Sequence, residues 1–347
     1  MEDAALNIAA TPAAREKKLR DDLKAANIKW AAARAFMPDW LDEAFKSSSG
    51  TLELKSFLAK HFGFDIDREG NLVPRALPHA KFKTKAGTAH HEVEGARSIA
   101  TACARLVAKA TKPDWNIHSN LYRNASAVRS CIVDHSADGW VDFASLLGCC
   151  WEIGIPVLYL PNLPTKGKKM DGMVTYVAER PVIVLTKKAN ADWALFILAH
   201  EMGHVAKHHL AFDEGDAIVD EAVDGGQTND LLEQEANEYA LNVITPNGNG
   251  IRIDAQVPKA PEFASSAMRY GREHGIHPGH VILSAARHTH IGGKPLWPLA
   301  NAALKLLPDG VASRPVAELC KEAVDRYVDA ELLRDDSVEF LKKLEVL

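Results

Sequence analysis

An apolar segment that carries two histidines and a glutamate constrains this chain more than any other feature. Trp193 to Leu210 has the length and composition of a buried helix, and it contains the run Leu198-Ala-His-Glu-Met-Gly-His-Val. His200 and His204 are four positions apart, so on a helix they lie one turn apart on the same face. A buried helix of this kind needs partners for its polar side chains. The fold must therefore build a site around them.

This spacing is typical of a metal site. A single ion can contact both imidazoles, and Glu201 directly follows the first of them, where it can take a proton from the attacking water. Asp192 is predicted to cap the start of the helix. The sequence thus predicts one zinc ion held by His200 and His204, with Glu201 as general base. The alternative is a surface-facing or hydrogen-bonded helix whose histidines coincide by chance.

A tetrahedral catalytic site needs a third protein ligand and keeps its fourth position for water. Glu233 lies 29 positions after His204, and on a helix it shares a face with Ala236 and Ala240. These small residues would let the second helix approach the first. Glu233 is therefore preferred as the ligand to Glu235, which points elsewhere. The alternative is that the glutamates of this segment form a solvated face.

The segments before the metal helix predict a small sheet. Pro156 to Leu160 is a short apolar run, and Met173 to Val177 and Pro181 to Thr186 are rich in β-branched residues and separated by a polar turn, as in a hairpin. Helical patterns dominate the chain on both sides of this block. An α+β protein is therefore expected, with the sheet packed against helices.

These elements together resemble the ImmA/IrrE family of metallopeptidases. In that family a strand, an A-H-E-[LM]-G-H helix and a downstream E-x-x-A-N-x-[FY]-A helix recur, and the resemblance covers Gly154 to Pro246. The matching segments agree in order and spacing: G-I-P-V at Gly154 to Val157, D-G at Asp171 and Gly172, V-I-V-L at Val182 to Leu185, A-H-E-M-G-H at Ala199 to His204, and E-Q-E-A-N-E-Y-A at Glu233 to Ala240.

The resemblance implies a gluzincin-like zinc endopeptidase that cleaves a helix-turn-helix transcriptional repressor in a stress, DNA-damage or mobile-element response. We accordingly predict a zincin-like metallopeptidase core at residues 116–250, in which the small sheet packs on the metal helix, between helical regions at 1–115 and 251–347. The strand Pro181 to Thr186 would pair with an extended peptide. Two alternatives are a non-catalytic zinc-binding regulator and a transcription factor with a vestigial protease domain.

Several histidines lie outside the motif. His208 and His209 are predicted to be exposed at the end of the metal helix, where a polar ring suits the helix dipole. A later cluster could supply a group that stabilises the oxyanion of the reaction. We choose His280 for this role, because its predicted helix opens at Pro278. The cluster comprises Tyr270, His274, His277, His280, His288 and His290.

Charge limits the choice of partners. The net charge of -5 argues against a chain dominated by nucleic-acid contacts. Residues 211 to 240 contain ten acidic residues and no Lys or Arg, and this segment is expected to screen the cleft or to receive the basic surface of a DNA-binding substrate. A basic segment in the N-terminal region is expected to be a solvated loop, with nucleic-acid contact as the alternative. It comprises Arg75, Lys81, Lys83 and Lys85, with His79, His90 and His91 nearby.

Composition predicts a folded, water-soluble protein, since 47% of the residues are hydrophobic and 25% are charged. Leu52 to Ile66 resembles a helix-turn-helix only weakly, and plain helical packing is the preferred interpretation. No apolar stretch is long enough to span a membrane, and the first residues lack the apolar core of a signal peptide. The five cysteines suggest neither a disulfide framework nor a thiolate metal site. A cytoplasmic location is expected.

Overall fold

The structure is a computed structural model that describes residues 11–75, 81–83, 91–115, 121–165, 170–220, 223, 230–253, 258–291, 294–308, 311 and 314–347. Its N-terminal part is helical and ends in a small hairpin. Thr11 caps the first helix through its hydroxyl, and Pro12 follows at the position where a missing N–H costs nothing. The elements are α1 (Pro12–Ala25), α2 (Trp30–Ala33), α3 (Leu41–Ala44), α4 (Ser48–His61), β1 (Phe64–Ile66) and β2 (Leu72–Pro74).

The middle of the chain alternates strands and helices. A hairpin at residues 172–185 turns through Ala178 and Glu179, both with positive φ, as a tight two-residue hairpin loop requires. The elements are β3 (Lys81–Lys83), α5 (His91–Ala110), α6 (Ala125–Val133), α7 (Phe143–Glu152), β4 (Val157–Tyr159), β5 (Gly172–Val177), β6 (Arg180–Leu185), α8 (Ala191–Ala206), β7 (Ala217–Asp220) and α9 (Leu231–Ile244).

The C-terminal part is again mostly helical. A left-handed Gly275 ends its first helix, in the backbone conformation that glycine adopts most readily. The elements are α10 (Ala260–His274), α11 (Pro278–His288), β8 (His290–Ile291), β9 (Lys294–Pro295), α12 (Trp297–Leu304), α13 (Val316–Tyr327) and α14 (Asp335–Lys343). The α+β class and the helical flanking regions are therefore confirmed.

Five strands form the main sheet, in the order β3-β7-β5-β6-β4. The predicted hairpin is present, antiparallel along its whole length. The prediction that Pro181 to Thr186 pairs with a peptide is wrong, because β6 lies between β5 and β4 and has neighbours on both sides. β7 and β3, which were not predicted, extend the sheet beyond β5. Helices α5, α7 and α8 pack on this sheet or on each other.

The metal helix is present as α8, although it starts differently from the prediction. Asn190, not Asp192, is the N-cap, and its side chain accepts a hydrogen bond from Trp193 N. Asp192 lies in the first turn, buried, with Oδ1 3.3 Å from Nδ1 of His277. This position brings the start of α8 against α11.

Two hydrophobic cores stabilise the described part of the chain. The larger one draws on buried side chains from Leu19 to Val346 and thus on all three predicted regions. The smaller one lies among α10, α11 and α12. The boundaries after residues 115 and 250 remain predictions. Among the described residues, no helix is both long and apolar enough to span a bilayer.

The basic segment of the N-terminal region is only partly described. His79, Lys85 and His90 lie outside the described residues. Arg75 pairs with Asp65 across the small hairpin, Nε to Oδ1 2.8 Å. A role for this segment in binding nucleic acid stays an untested alternative.

Candidate metal centre

Helix α8 places the two motif histidines and the glutamate in the interior. Most residues of this helix are buried, including His200, Glu201 and His204. The Nε2 atoms of the two rings are 3.1 Å apart. The i, i+4 spacing therefore produces the convergence of ring nitrogens that the sequence predicts.

Helix α9 brings Glu233 to the same point. Its Oε2 lies 3.6 Å from Nε2 of His200, and its Oε1 lies 3.3 Å from Nε2 of His204. Glu235, the less favoured ligand, points instead to His209. The two helices can approach because Gly203 has no side chain: a Cβ built there would be 3.0 Å from the Cα of Ala236. Small residues thus set the position of Glu233, as expected.

A fourth group, Asp220, was not predicted. It ends strand β7, is 1% exposed, and its Oδ2 lies 3.5 Å from Nε2 of His200 and 3.4 Å from Nε2 of His204. One ligand atom from each of these four residues lies within 4.8 Å of all the others. The available signal was an aspartate directly after the apolar run Ala217 to Val219, inside an otherwise acidic segment. The pairing of the strands, which the sequence does not show, is needed to see that this aspartate lies at the site.

These four side chains fit a divalent metal. Bonds of about 2.0–2.1 Å to a tetrahedral ion place its ligand atoms roughly 3.3–3.4 Å apart. The measured distances between ring nitrogens and carboxylate oxygens run from 3.3 Å to 3.6 Å. Both oxygens of Asp220 are buried without a hydrogen bond in the described part of the chain, and burial of a carboxylate requires a compensating cation. Imidazole and carboxylate ligands suit zinc.

Glu201 lies beside this group but is not one of the four. It is fully buried, and neither of its oxygens has a hydrogen-bond donor among the described residues. Burial, together with the neighbouring carboxylates of Asp220 and Glu233, raises the pKa of Glu201 well above its usual value. Gly172 provides the space for this side chain, since a Cβ at that position would lie 2.0 Å from Oε1 of Glu201. The glycine of the aspartate-glycine pair in the sequence therefore has a steric function.

Comparison with known proteins agrees with this site. Residues 150–251 match the model of a peptidase family described as the IrrE N-terminal-like domain. The chain carries an IrrE N-terminal-like domain. The domain contains β4 to β7, α8 and α9, and hence all four metal-site residues and Glu201. No curated protein and no solved structure matches the chain significantly. The resemblance to the ImmA/IrrE family is confirmed, and the family implies a metal.

Outer partners orient the two histidines of the IrrE N-terminal-like domain. Nδ1 of His200 lies 3.0 Å from Oδ1 of Asn237, and Nδ1 of His204 lies 2.7 Å from Nδ1 of His209. His209 in turn contacts Oε2 of Glu235 at 2.9 Å. The prediction that His209 is exposed is wrong, because the chain reverses after α8 and folds the ring back, leaving it 5% exposed. Such contacts fix which ring nitrogen faces a metal.

His280 is not one of these four residues and lies in the wall of a pocket. It is on α11, buried, and its Nε2 has no partner among the described residues. Burial lowers the pKa of His280 to about 3, so the ring is neutral near pH 7. The pocket lies next to the IrrE N-terminal-like domain, and its walls include Trp193, Phe196, Leu241 and Trp297. The role of His280 in stabilising an oxyanion stays a prediction.

The acidic segment is partly internal. Asp216 and Asp220 are buried, while Glu214 is exposed and pairs with Arg105, Oε1 to Nε 2.9 Å. Glu221 and Asp224 lie outside the described residues. The charge available to a partner is therefore smaller than the ten acidic residues of the sequence suggest.

Proposed function

We propose that the protein is a zinc-dependent endopeptidase whose metal is held by His200, His204 and Glu233. The observation that carries the proposal is the convergence of these three side chains from two helices, with Glu201 buried beside them. The peptidase family of the matching domain supports it. Zinc is the proposed metal because two imidazoles and a carboxylate form a common catalytic zinc set.

The residues of the chain have distinct roles in this proposal. When bound, a zinc ion would act as a Lewis acid and lower the pKa of water to about 7. Glu201 would take the proton of the attacking water and deliver it to the leaving amine. Asn237 and His209 would keep the two imidazoles in the orientation and tautomer that ligation needs.

The proposed substrate is a helix-turn-helix transcriptional repressor in the cytoplasm, cleaved in a stress, DNA-damage or mobile-element response. This assignment follows from the resemblance to the ImmA/IrrE family. The mostly apolar pocket beside the domain would receive a side chain of the substrate. His280, in its wall, is the proposed group for stabilising the oxyanion.

A second candidate is a regulator in which the metal has a structural role and no peptide is cut. Asp220 favours this candidate, because four protein ligands are typical of structural zinc sites. The same residues would then hold the metal, but Glu201 would have no catalytic role.

Replacing Glu201 by glutamine distinguishes the two candidates. The endopeptidase should lose cleavage by about 100-fold or more, because the amide cannot take up the proton, while zinc content stays at one ion per chain. The assay incubates the purified protein with repressors encoded beside its gene, with and without a chelator, and follows fragments by mass spectrometry. Zinc is measured by atomic absorption.

Glu238→Gln is the matched control, since Glu238 is on α9, exposed and outside the site. Its cleavage rate should equal that of the unmodified protein. Cleavage that survives both the chelator and Glu201→Gln would disprove the endopeptidase proposal. Bound zinc without cleavage of any repressor, both by the unmodified protein and by Asp220→Ala, would favour the structural regulator.

A further inference from the structure

We propose that Asp220 is a fourth protein ligand that closes the metal site and keeps the peptidase latent. The inference rests on the proposed function, because it concerns regulation of the same metal. It goes beyond that function by assigning a role to a residue that a three-ligand catalytic site does not need.

The geometry of Asp220 matches that of a ligand. Its Oδ2 is 3.5 Å and 3.4 Å from the two Nε2 atoms, as close as the carboxylate of Glu233 at 3.6 Å and 3.3 Å. The two carboxylates approach the histidine pair together, and all four ligand atoms lie within 4.8 Å. Asp220 therefore occupies the place that a catalytic site leaves to water.

Charge supports the same assignment. Asp220, Glu201 and Glu233 are three carboxylates in one buried site, and Asp220 is 1% exposed. The nearby positive charge of Lys187 is paired with a different carboxylate, that of Asp171, with Nζ 2.5 Å from Oδ2. Val223 N donates a hydrogen bond to the same oxygen of Asp171. The two ligand carboxylates, of Asp220 and Glu233, together with two neutral imidazoles would balance the charge of a dication, whereas burial of these carboxylates without one is costly.

Sheet pairing makes the position of Asp220 definite. The residue pairs with Gly172 of β5, and its carbonyl accepts a hydrogen bond from Asp171 N at 2.7 Å. Its backbone is also in register with Lys83 of β3. Asp220 is thus placed by the sheet, as the histidines are placed by α8, and not by a loop that could take many conformations.

Latency follows from the number of ligands. If Asp220 held the metal together with His200, His204 and Glu233, the four protein ligands would leave no position for water or a peptide carbonyl. Activity then requires the Asp220 carboxylate to leave. Any signal or substrate that displaces this one side chain would open the site, while His200, His204 and Glu233 keep the metal in place.

Cobalt substitution tests the proposal directly. The full chain is loaded with Co²⁺ and its visible spectrum is recorded with and without azide, for the unmodified protein, Asp220→Ala and Asp220→Asn. We expect azide to leave the spectrum of the unmodified protein unchanged and to alter that of Asp220→Ala, which has an open position. We also expect Asp220→Ala to bind zinc at least about tenfold more weakly in competition with a chelator.

Asp213→Asn serves as the control, because Asp213 is exposed in the loop before β7. It should behave as the unmodified protein does. Asp220→Asn keeps the shape of the side chain. It replaces Asp220→Ala in the azide and zinc measurements if circular dichroism shows that Asp220→Ala does not fold. The Asp220 variant that folds should also cleave a substrate repressor faster than the unmodified protein does.

The result that overturns the proposal is a clear azide response in the unmodified protein together with unchanged zinc affinity in the Asp220 variants. The proposed function fails in a different way. If the chain binds no metal, or if His200→Ala binds it equally well, then the metal centre itself is wrong. A metal lost by His200→Ala but kept equally by the Asp220 variants overturns only the fourth ligand.

Discussion

Glu201 depends on a residue that has no side chain. A Cβ at Gly172 would lie 2.0 Å from Oε1 of Glu201 and 2.8 Å from its Cδ, so Gly172→Ala should force the carboxylate out of its position. We expect cleavage to fall about 100-fold, since a shift of about 1 Å can cost that much. Zinc affinity should change far less, because Glu201 is not a ligand. Initial cleavage rates and chelator competition measure the two effects.

Gly148→Ala is the control for this substitution. A Cβ at Gly148, in α7, has nothing within 4 Å, and replacing a helical glycine stabilises a protein by about 0.5–1 kcal/mol. Cleavage by this variant should be unchanged. Full activity of Gly172→Ala would show that Glu201 is not the base.

Whether a site residue can be predicted from the sequence depends on the structural element that places it. His200, Glu201 and His204 follow from helical spacing alone, and Glu233 from a second helix with small residues on its face. Asp220 and His209 could not be found in this way. One is placed by strand pairing and the other by the turn after α8, where the chain folds back on itself.

The crossing of α8 and α9 sets the distance between the ligands on the two helices. A Cβ on Gly203 would meet Ala236 Cα and O at 3.0 Å and Tyr239 Cβ at 3.2 Å. We therefore expect Gly203→Ala to push the helices apart and to lower the free energy of unfolding of the metal-free protein by about 1–3 kcal/mol. Zinc affinity should fall with it, because Glu233 moves away from both rings. Urea denaturation and chelator competition measure these changes.

Gly148→Ala again serves as the comparison, as a glycine in a helix with open space around it. If Gly203→Ala unfolds at the same urea concentration as that variant and keeps full zinc affinity, then the close approach of the two helices does not hold the site together.

The elements themselves were largely predictable. The β5–β6 hairpin and the helices α5, α8, α10 and α11 follow from alternation and helical periodicity. β3 and β7 were missed because their few apolar residues lie inside a basic segment that was interpreted as a loop and inside a strongly acidic segment, respectively. Consequently the sheet order, and with it the internal position of β6, could not be derived from the sequence.

Helices from the N-terminal and C-terminal parts of the chain pack together in one core. α4 and α14 come together at His61, whose Nδ1 contacts the Phe57 carbonyl at 2.9 Å and whose Nε2 contacts Ser337 Oγ at 3.1 Å. Phe340 packs against the same ring, with centroids 4.8 Å apart. The helical regions before and after the metal centre therefore stabilise each other, which local patterns in the sequence do not reveal.

This junction should make stability depend on pH. Burial lowers the pKa of His61 from 6.5 to about 4, although the Phe57 carbonyl and Asp336, 3.9 Å away, raise it; the adjacent charge of Lys60 also lowers it. Above pH 6.5 the imidazole of His61 is neutral in both the folded and the unfolded chain. Between pH 6.5 and 4 the unfolded chain takes up a proton that the folded chain does not, so the free energy of unfolding should fall by up to about 1.4 kcal/mol per pH unit.

The measurement is urea denaturation of the unmodified protein and of His61→Gln at several pH values between 7 and 4. The variant should lose less stability over this range than the unmodified protein. His135→Gln removes an exposed histidine and should leave the pH dependence unchanged. Parallel curves for the unmodified protein and His61→Gln would show that another group causes the acid sensitivity.

The pairing of β7 on both sides has a consequence for how such an enzyme would switch. With the main chain of Asp220 fixed by β5 and β3, its carboxylate can be withdrawn only by rotation about the bonds of the side chain. The resting and active forms would then have the same molecular shape and the same hydrodynamic radius. The difference between them would be visible only to spectroscopy of the metal, and not to scattering or gel filtration.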